Sequence, residues 1–192
     1  MKCLTEERGG LPPFLCITAA CSGLGKTTLL ENIVRRFTAR GLKVAVIKHH
    51  HGNLPPDEPG KDTWRYQRAG AAWTVLAGAG GLVLHCGTCR GSAGQYEIDP
   101  VKLVAALSIL EPELDLVLLE GYKHHAGLPK LEVVRPAAGG RAGPVTPVEQ
   151  LLAVVADGPP DAGVPVFGWG QLEELVEYLG RILGLKWRDT PC

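Results

Sequence analysis

The stretch Ala19-Ala20-Cys21-Ser22-Gly23-Leu24-Gly25-Lys26-Thr27-Thr28-Leu29-Leu30 lies between a short apolar run, residues 14–19, and a segment in which Leu29, Leu30, Ile33, Val34 and Phe37 recur at helical spacing. It follows the phosphate-loop pattern G-x-x-x-x-G-K-[ST] except at its first position, where Ala20 stands for glycine. Gly23 and Gly25 allow the backbone to curl so that successive N–H groups point inward at an anion. A helix opening near Lys26 aims its positive end at the same place. In such a loop Ser22, Gly23, Leu24 and Gly25 supply amides, and Lys26 bridges the terminal phosphates of a nucleotide. The Thr27 hydroxyl ligates Mg²⁺, and Thr28 adds a phosphate contact. Ala20 is a veto only if its position demands a positive φ.

Working outward, Arg35, Arg36 and Arg40 suit the negative end of the helix dipole, Gly41 ends it, and residues 42–48 read as a second strand. Strand, glycine loop, helix and strand make one right-handed βαβ unit with a parallel pair. Residues 71–77 and 81–85 read as strands joined by "GAG", an antiparallel hairpin. Asp99-Pro100 starts a helix with Val101, Val104, Leu107 and Leu110 on one face. Residues 114–119 form an uninterrupted apolar strand, as in the middle of a parallel sheet. Further strands are expected at 130–134, 151–156 and 164–167, and a closing helix carries Leu172, Leu175, Val176, Leu179 and Ile182. The fold expected is an α/β, P-loop NTPase-like three-layer domain over residues 1–192, with a mostly parallel central sheet, a hairpin extension, a tail at 1–12 and a flexible loop at 136–147.

Composition narrows the function classes. The 192-residue chain is 45% apolar and 21% charged, with twenty basic and twenty acidic residues. That balance leaves no electrostatic footprint for nucleic acid or an anionic membrane. No apolar run approaches the ~20 residues that span a bilayer, and "LPPFLCITAAC" lacks the charge pattern of a secretory leader. A cytoplasmic protein is expected. The six cysteines, at 3, 16, 21, 86, 89 and 192, do not read as a disulfide framework.

A phosphate-loop protein needs an acid at the end of a neighbouring strand to hold the metal or its water. "LDLVLLEGY" offers Asp115 and Glu120, on the order of 16 Å apart along a strand. The loop lies at the carboxyl edge of the sheet, so Glu120 is the one in reach and Asp115 reads as a solvated strand start. The long segment "KHHHGNLPPDEPGKDTWR" brings Lys48, His49, His50, His51, Lys61 and Asp62 after the second strand, and Lys123, His124 and His125 follow Glu120. These groups concentrate positive charge where phosphates bind, so Lys48, His49, His51, Lys61 and Lys123 are candidate anion or substrate ligands. Asp62 fits two roles, a second metal-side acid or the N-cap of the next helix. Three consecutive histidines rarely point at one ion, which favours anion binding over metal ligation. Cys86-Gly87-Thr88-Cys89 supplies half of a tetrahedral zinc site, which a symmetric dimer could complete with four thiolates; two free thiols near a hairpin fit the same spacing.

Together "SGLGKTTLLENIV", "VIKHHHGNLPPDEPGKDTWRYQRAGA" and "LDLVLLEGYKHHAGLPKLEVVR" resemble the molybdopterin-guanine dinucleotide biosynthesis adapter protein family, MobB. The resemblance covers most of the first 135 residues. It implies a GTP-binding protein with at most weak Mg²⁺-dependent turnover, acting as a homodimer to assist the synthase that joins GMP to molybdopterin. By matching positions, Lys26, Thr27 and Thr28 would hold phosphates and Mg²⁺, with Asp62 and Glu120 beside the metal as the catalytic acids. No N-K-x-D sequence occurs to read guanine; "VVADGPP" places Asp157 after a late strand, where it is either the base reader or a turn aspartate. Two other classes stay open. One is a small-molecule kinase whose lid would carry Arg135 and Arg141, and the other is a metal-delivery GTPase using the histidines and the C-x-x-C pair.

Overall fold

The structure is a computed structural model and describes residues 10–50, 52, 57–86, 98–135, 143–158 and 160–188. His51, Cys89 and Arg141 lie outside the described residues, as does most of the 1–12 tail. The chain divides into two compact units, Met1–His49 with Pro100–Cys192, and His50–Asp99.

The larger unit is built on six parallel strands: β1 (Phe14–Ala19), β2 (Val44–Lys48), β5 (Leu116–Glu120), β6 (Lys130–Val134), β7 (Leu151–Ala156) and β8 (Val166–Phe167). Their order is β2-β5-β1-β6-β7-β8. β1 lies between β5 and β6 and is buried at every position, which explains why "FLCITA" is apolar but for Thr18 rather than alternating. The alternation survives as a division between faces. Leu15, Ile17 and Ala19 pack with Leu29, Ile33 and Phe37 of α1 (Lys26–Thr38) and with Leu175, Val176 and Leu179 of α4 (Leu172–Ile182). Phe14 and Cys16 face the other way, onto Val104 of α3 (Pro100–Leu110). Of the four apolar residues expected on one face of α3, Val101, Val104 and Leu107 pack against the sheet. Leu110, the last helical residue, is 62% exposed.

The polar end of the sheet is tied down. Asp115 is no solvated strand start: it accepts the Lys43 backbone N–H at 2.8 Å and pairs with Arg188 at 2.8 Å. Trp187 folds back over α4 so closely that a Cβ on Gly180 would collide with its ring. Glu132 is buried inside β6 and accepts the backbone N–H groups of Val145 and Thr146, both at 2.8 Å. That fixes the 143–147 part of the loop expected at 136–147.

The smaller unit holds α2 (Asp62–Arg68) and a two-stranded antiparallel sheet of β3 (Trp73–Gly78) and β4 (Gly81–Cys86). Thr74 is buried and accepts a hydrogen bond from Gln67 of α2 at 2.9 Å. None of the described helices is long and apolar enough to cross a membrane.

Candidate functional site

Residues 20–25 join β1 to α1. Gly23 and Gly25 have φ of 78° and 97°, backbone that only glycine adopts readily. Ala20 does not have a positive φ, so the loop tolerates alanine there. α1 opens without a side-chain cap and with no acid in its first turn. Its first amides are therefore left by the protein for another acceptor. Lys26 Nζ reaches back to the Cys21 carbonyl at 2.8 Å, and Lys123 Nζ donates to the Ala20 carbonyl at 3.0 Å. Two ammonium groups thus frame one loop, and Ser22, Leu24, Thr27 and Thr28 lie within the same span.

Glu120 ends β5, in register with Ile17 of β1 and Lys48 of β2. Its Oε1 accepts the Thr27 hydroxyl at 3.1 Å and lies 3.4 Å from Lys48 Nζ. A hydroxyl and a carboxylate at hydrogen-bond distance form the hard oxygen pair that suits Mg²⁺. The chain turns sharply just afterwards. Gly121 has φ 101° and Tyr122 φ 46°, the one non-glycine with positive φ among the described residues. A Cβ on Gly121 would lie 3.0 Å from His49 Cβ. His49 donates its backbone N–H to the Glu120 carbonyl at 2.9 Å and stacks on Tyr122, ring centroids 4.5 Å apart. The expected anion ligand is thus half-buried in the turn, whereas Lys48 and Lys123 are exposed or partnered at the loop itself.

Two buried groups that the sequence did not single out for this site support that turn. Cys16 donates its thiol to the Gly121 carbonyl at 2.9 Å, and burial pushes its pKa up to about 12, so it remains a neutral thiol. Lys130 Nζ donates to the carbonyls of Lys123 and His125 and to Gln150 Oε1, at 2.9, 2.8 and 2.8 Å. Burial lowers its pKa, but three acceptors satisfy all three of its protons. A lysine at the start of an apolar strand gives no sign in sequence that it clamps the preceding loop.

Farther along the sheet edge, Asp157 follows β7. It lies 3.6 Å from the guanidinium of Arg135, which follows β6. Arg135 lies over the ring of Trp169 at 4.5 Å.

In the smaller unit, Lys61 precedes α2 and stands 3.8 Å from Glu58. Asp62 is the first helical residue rather than the N-cap, with Arg65 at 3.6 Å. Cys86 is a half-buried cysteine at the end of β4. Among the described residues no group of three or more histidine, cysteine, aspartate or glutamate side chains could hold a metal ion.

A parallel sheet whose central strand runs into a glycine loop and a helix opening on lysine and threonine defines a P-loop NTPase-like protein. Residues 14–157 match the family model described as molybdopterin guanine dinucleotide synthesis protein B, and the chain belongs to that family. This membership places it in molybdenum-cofactor biosynthesis. It is 33% identical over 161 residues to the Escherichia coli molybdopterin-guanine dinucleotide biosynthesis adapter protein, covering 84% of this chain and 88% of that one. It is 38% identical over 120 residues to the Haemophilus influenzae adapter, covering 62% of this chain and 61% of that one. The crystal structure of Bacillus subtilis MobB superposes with a TM-score of 0.63 at 28% identity, covering 91% of this chain and 98% of that one.

Proposed function

We propose that this chain is a cytoplasmic GTP-binding adapter that assists the synthase attaching GMP to molybdopterin. The observation that carries this reading is the 3.1 Å contact between Thr27 and Glu120 beside an uncapped helix N-terminus. The amides of 22–28 and the Lys26 ammonium would cradle the β- and γ-phosphates, and Thr27 with Glu120 would hold Mg²⁺. The ion supplies charge neutralisation between phosphate oxygens. Lys26 would exchange its contact with the Cys21 carbonyl for a phosphate, and Lys48 balances the Glu120 charge until then. Asp157 reads the base. Lys48, His49 and Lys123 provide cations for the phosphate of molybdopterin. Any hydrolysis is slow without a cation supplied by a partner.

The working form is a homodimer formed through the hairpin. Pairing in register puts Trp73, Val75, Leu82 and Leu84 on one face, and all four are more than 40% exposed. A two-stranded sheet is marginal alone, and among the described residues each of its strands pairs on one side only. A second copy supplies both an apolar face and an edge. Two copies would also bring two C-x-x-C pairs together for zinc, which metal analysis of chelator-free protein tests.

The function is tested by co-purification with a candidate guanylyl synthase in the presence of Mg²⁺, GTP and molybdopterin. GTP-dependent retention of the synthase, lost in Lys26→Ala, is expected. Retention indifferent to nucleotide, or phosphate transfer from nucleotide to a small acceptor, would contradict it.

A further inference from the structure

The ends of β6, β7 and β8 carry a cluster that phosphate binding does not use. Arg135 follows β6, Asp157 follows β7 and Trp169 stands just past β8. The Arg135 guanidinium lies 4.5 Å from the Trp169 ring centroid, and its Nε is 3.6 Å from Asp157 Oδ2. The indole also leans on the phosphate loop: a Cβ on Gly25 would lie 2.9 Å from its Cη2 and 3.8 Å from an Arg135 nitrogen. Trp169 Nε1 is shielded from solvent without a hydrogen-bond partner. A buried N–H with no acceptor is unfavourable, so the packing of the ring rather than its donor holds the indole in place. The side chains of Arg135 and Asp157 remain 42% and 51% exposed.

Strands lie ~4.8 Å apart, so the edge beyond β7 and β8 is roughly 10–15 Å from the end of β1. A nucleotide anchored by its phosphates at that end lays its base along the carboxyl edge, toward this cluster. A flat indole face beside a carboxylate is suited to a purine: the ring stacks, and the carboxylate accepts ring N–H groups. The chemistry also selects which purine. The N1–C2–N2 edge of guanine is itself a guanidine, two N–H donors side by side on a planar frame, and adenine has no such edge. Arg135 brings a planar guanidinium of the same kind to both groups, its Nε 3.6 Å from Asp157 Oδ2 and its centre over the same indole.

We propose that Trp169 is the stacking platform for a guanine base. Arg135 holds the platform and Asp157 as an internal copy of the guanidine edge of that base, and a guanine nucleotide displaces it. The proposal rests on the reading that the phosphates bind at residues 22–28. Trp169 sets purine affinity, Asp157 selects guanine, and Arg135 weakens binding by competing.

Calorimetry of the full chain with Mg²⁺ and three probes, GTP, ATP and inorganic tripolyphosphate, tests it. Wild type binds GTP more tightly than ATP or tripolyphosphate. Trp169→Ala lowers the ratio of GTP to tripolyphosphate affinity roughly five- to a hundredfold, the range of a lost base–aromatic stack, while Trp169→Phe keeps most of that ratio. If Trp169→Ala fails to fold, Trp169→Leu, which retains bulk without an aromatic face, carries the same test. Arg135→Ala raises GTP affinity about two- to fivefold, as loss of an exposed cation–π contact and ion pair allows, and does not raise tripolyphosphate affinity. An unchanged ratio without the ring, or equal loss of GTP and tripolyphosphate on removing Arg135, overturns the proposal and leaves the phosphate site standing. Wild type that binds neither GTP nor tripolyphosphate removes the phosphate site, and the platform with it.

Discussion

Gly25→Ala puts two separable strains into the loop. Gly25 has φ 97°, and a side chain in left-handed backbone costs about 1–2 kcal/mol. The new methyl would also lie 2.9 Å from Cη2 and 3.3 Å from Cζ2 of Trp169, an overpacking that typically costs about 1–3 kcal/mol. Their sum is roughly 2–5 kcal/mol, a fall in Tm of the order of 4–20 °C for a chain of this size. A double-mutant cycle separates the two parts. Trp169→Ala removes the ring and so the collision, leaving only the backbone strain, so Gly25→Ala should cost about 1–3 kcal/mol less in that background. Denaturant unfolding of the four proteins measures the coupling. Equal cost in both backgrounds would refute the packing of Trp169 on the loop, and a wild-type Tm in Gly25→Ala would refute the loop geometry itself.

Asp157→Asn exchanges one acceptor oxygen for a donor, which complements the 2-oxo group of xanthine better than the 2-amino group of guanine. The variant should prefer XTP to GTP in direct competition, and an unaltered preference for GTP would remove Asp157 as the base reader. Glu132→Ala strands the Val145 and Thr146 amides that its carboxylate accepts at 2.8 Å each. It should lose about 2–5 kcal/mol in denaturant unfolding, whereas a loss under 1 kcal/mol would contradict that role. For Cys16 the folded pKa stands at about 12 against an ordinary 9.0. The unfolded thiol therefore releases its proton first as pH rises. Its contribution to stability is intact below pH 9 and declines toward pH 12, by at most about 1.4 kcal/mol per pH unit. Cys16→Ala should flatten the alkaline limb of the stability profile, and an equally steep limb would contradict this.

The central strands β1, β5 and β7 were legible because burial on both faces leaves a short, nearly unbroken apolar run. β1, β6 and β7 fall at the residues the sequence indicated. β2 and β5 each begin two residues later than their apolar runs. Leu42 belongs to the helix exit, its N–H bonded to the Phe37 carbonyl, and Leu114 packs under α3 before pairing begins. Glu120 was legible from strand length alone, since a parallel strand delivers only its last residue to the loop edge. Lys130 and Glu132 were not, because a buried charge inside a strand has the same spelling as a solvated one. Arg135, Asp157 and Trp169 are far apart in the chain, and only the side-by-side order of β6, β7 and β8 brings their ends together. The sequence offers Arg135 only to the lid of the alternative kinase reading, and Trp169 gives no signal at all.

The central claim is that residues 22–28 hold the phosphates of a guanine nucleotide, with Mg²⁺ between Thr27 and Glu120. Isothermal titration of the full chain with GTP, with and without Mg²⁺, beside Lys26→Ala tests it most directly. One nucleotide per chain is expected, with affinity that depends on Mg²⁺ and falls roughly ten- to a hundredfold when the charge-assisted contact of Lys26 is removed. Wild type that takes up no guanine nucleotide, or a Lys26→Ala chain that binds it as tightly as wild type, would contradict the account.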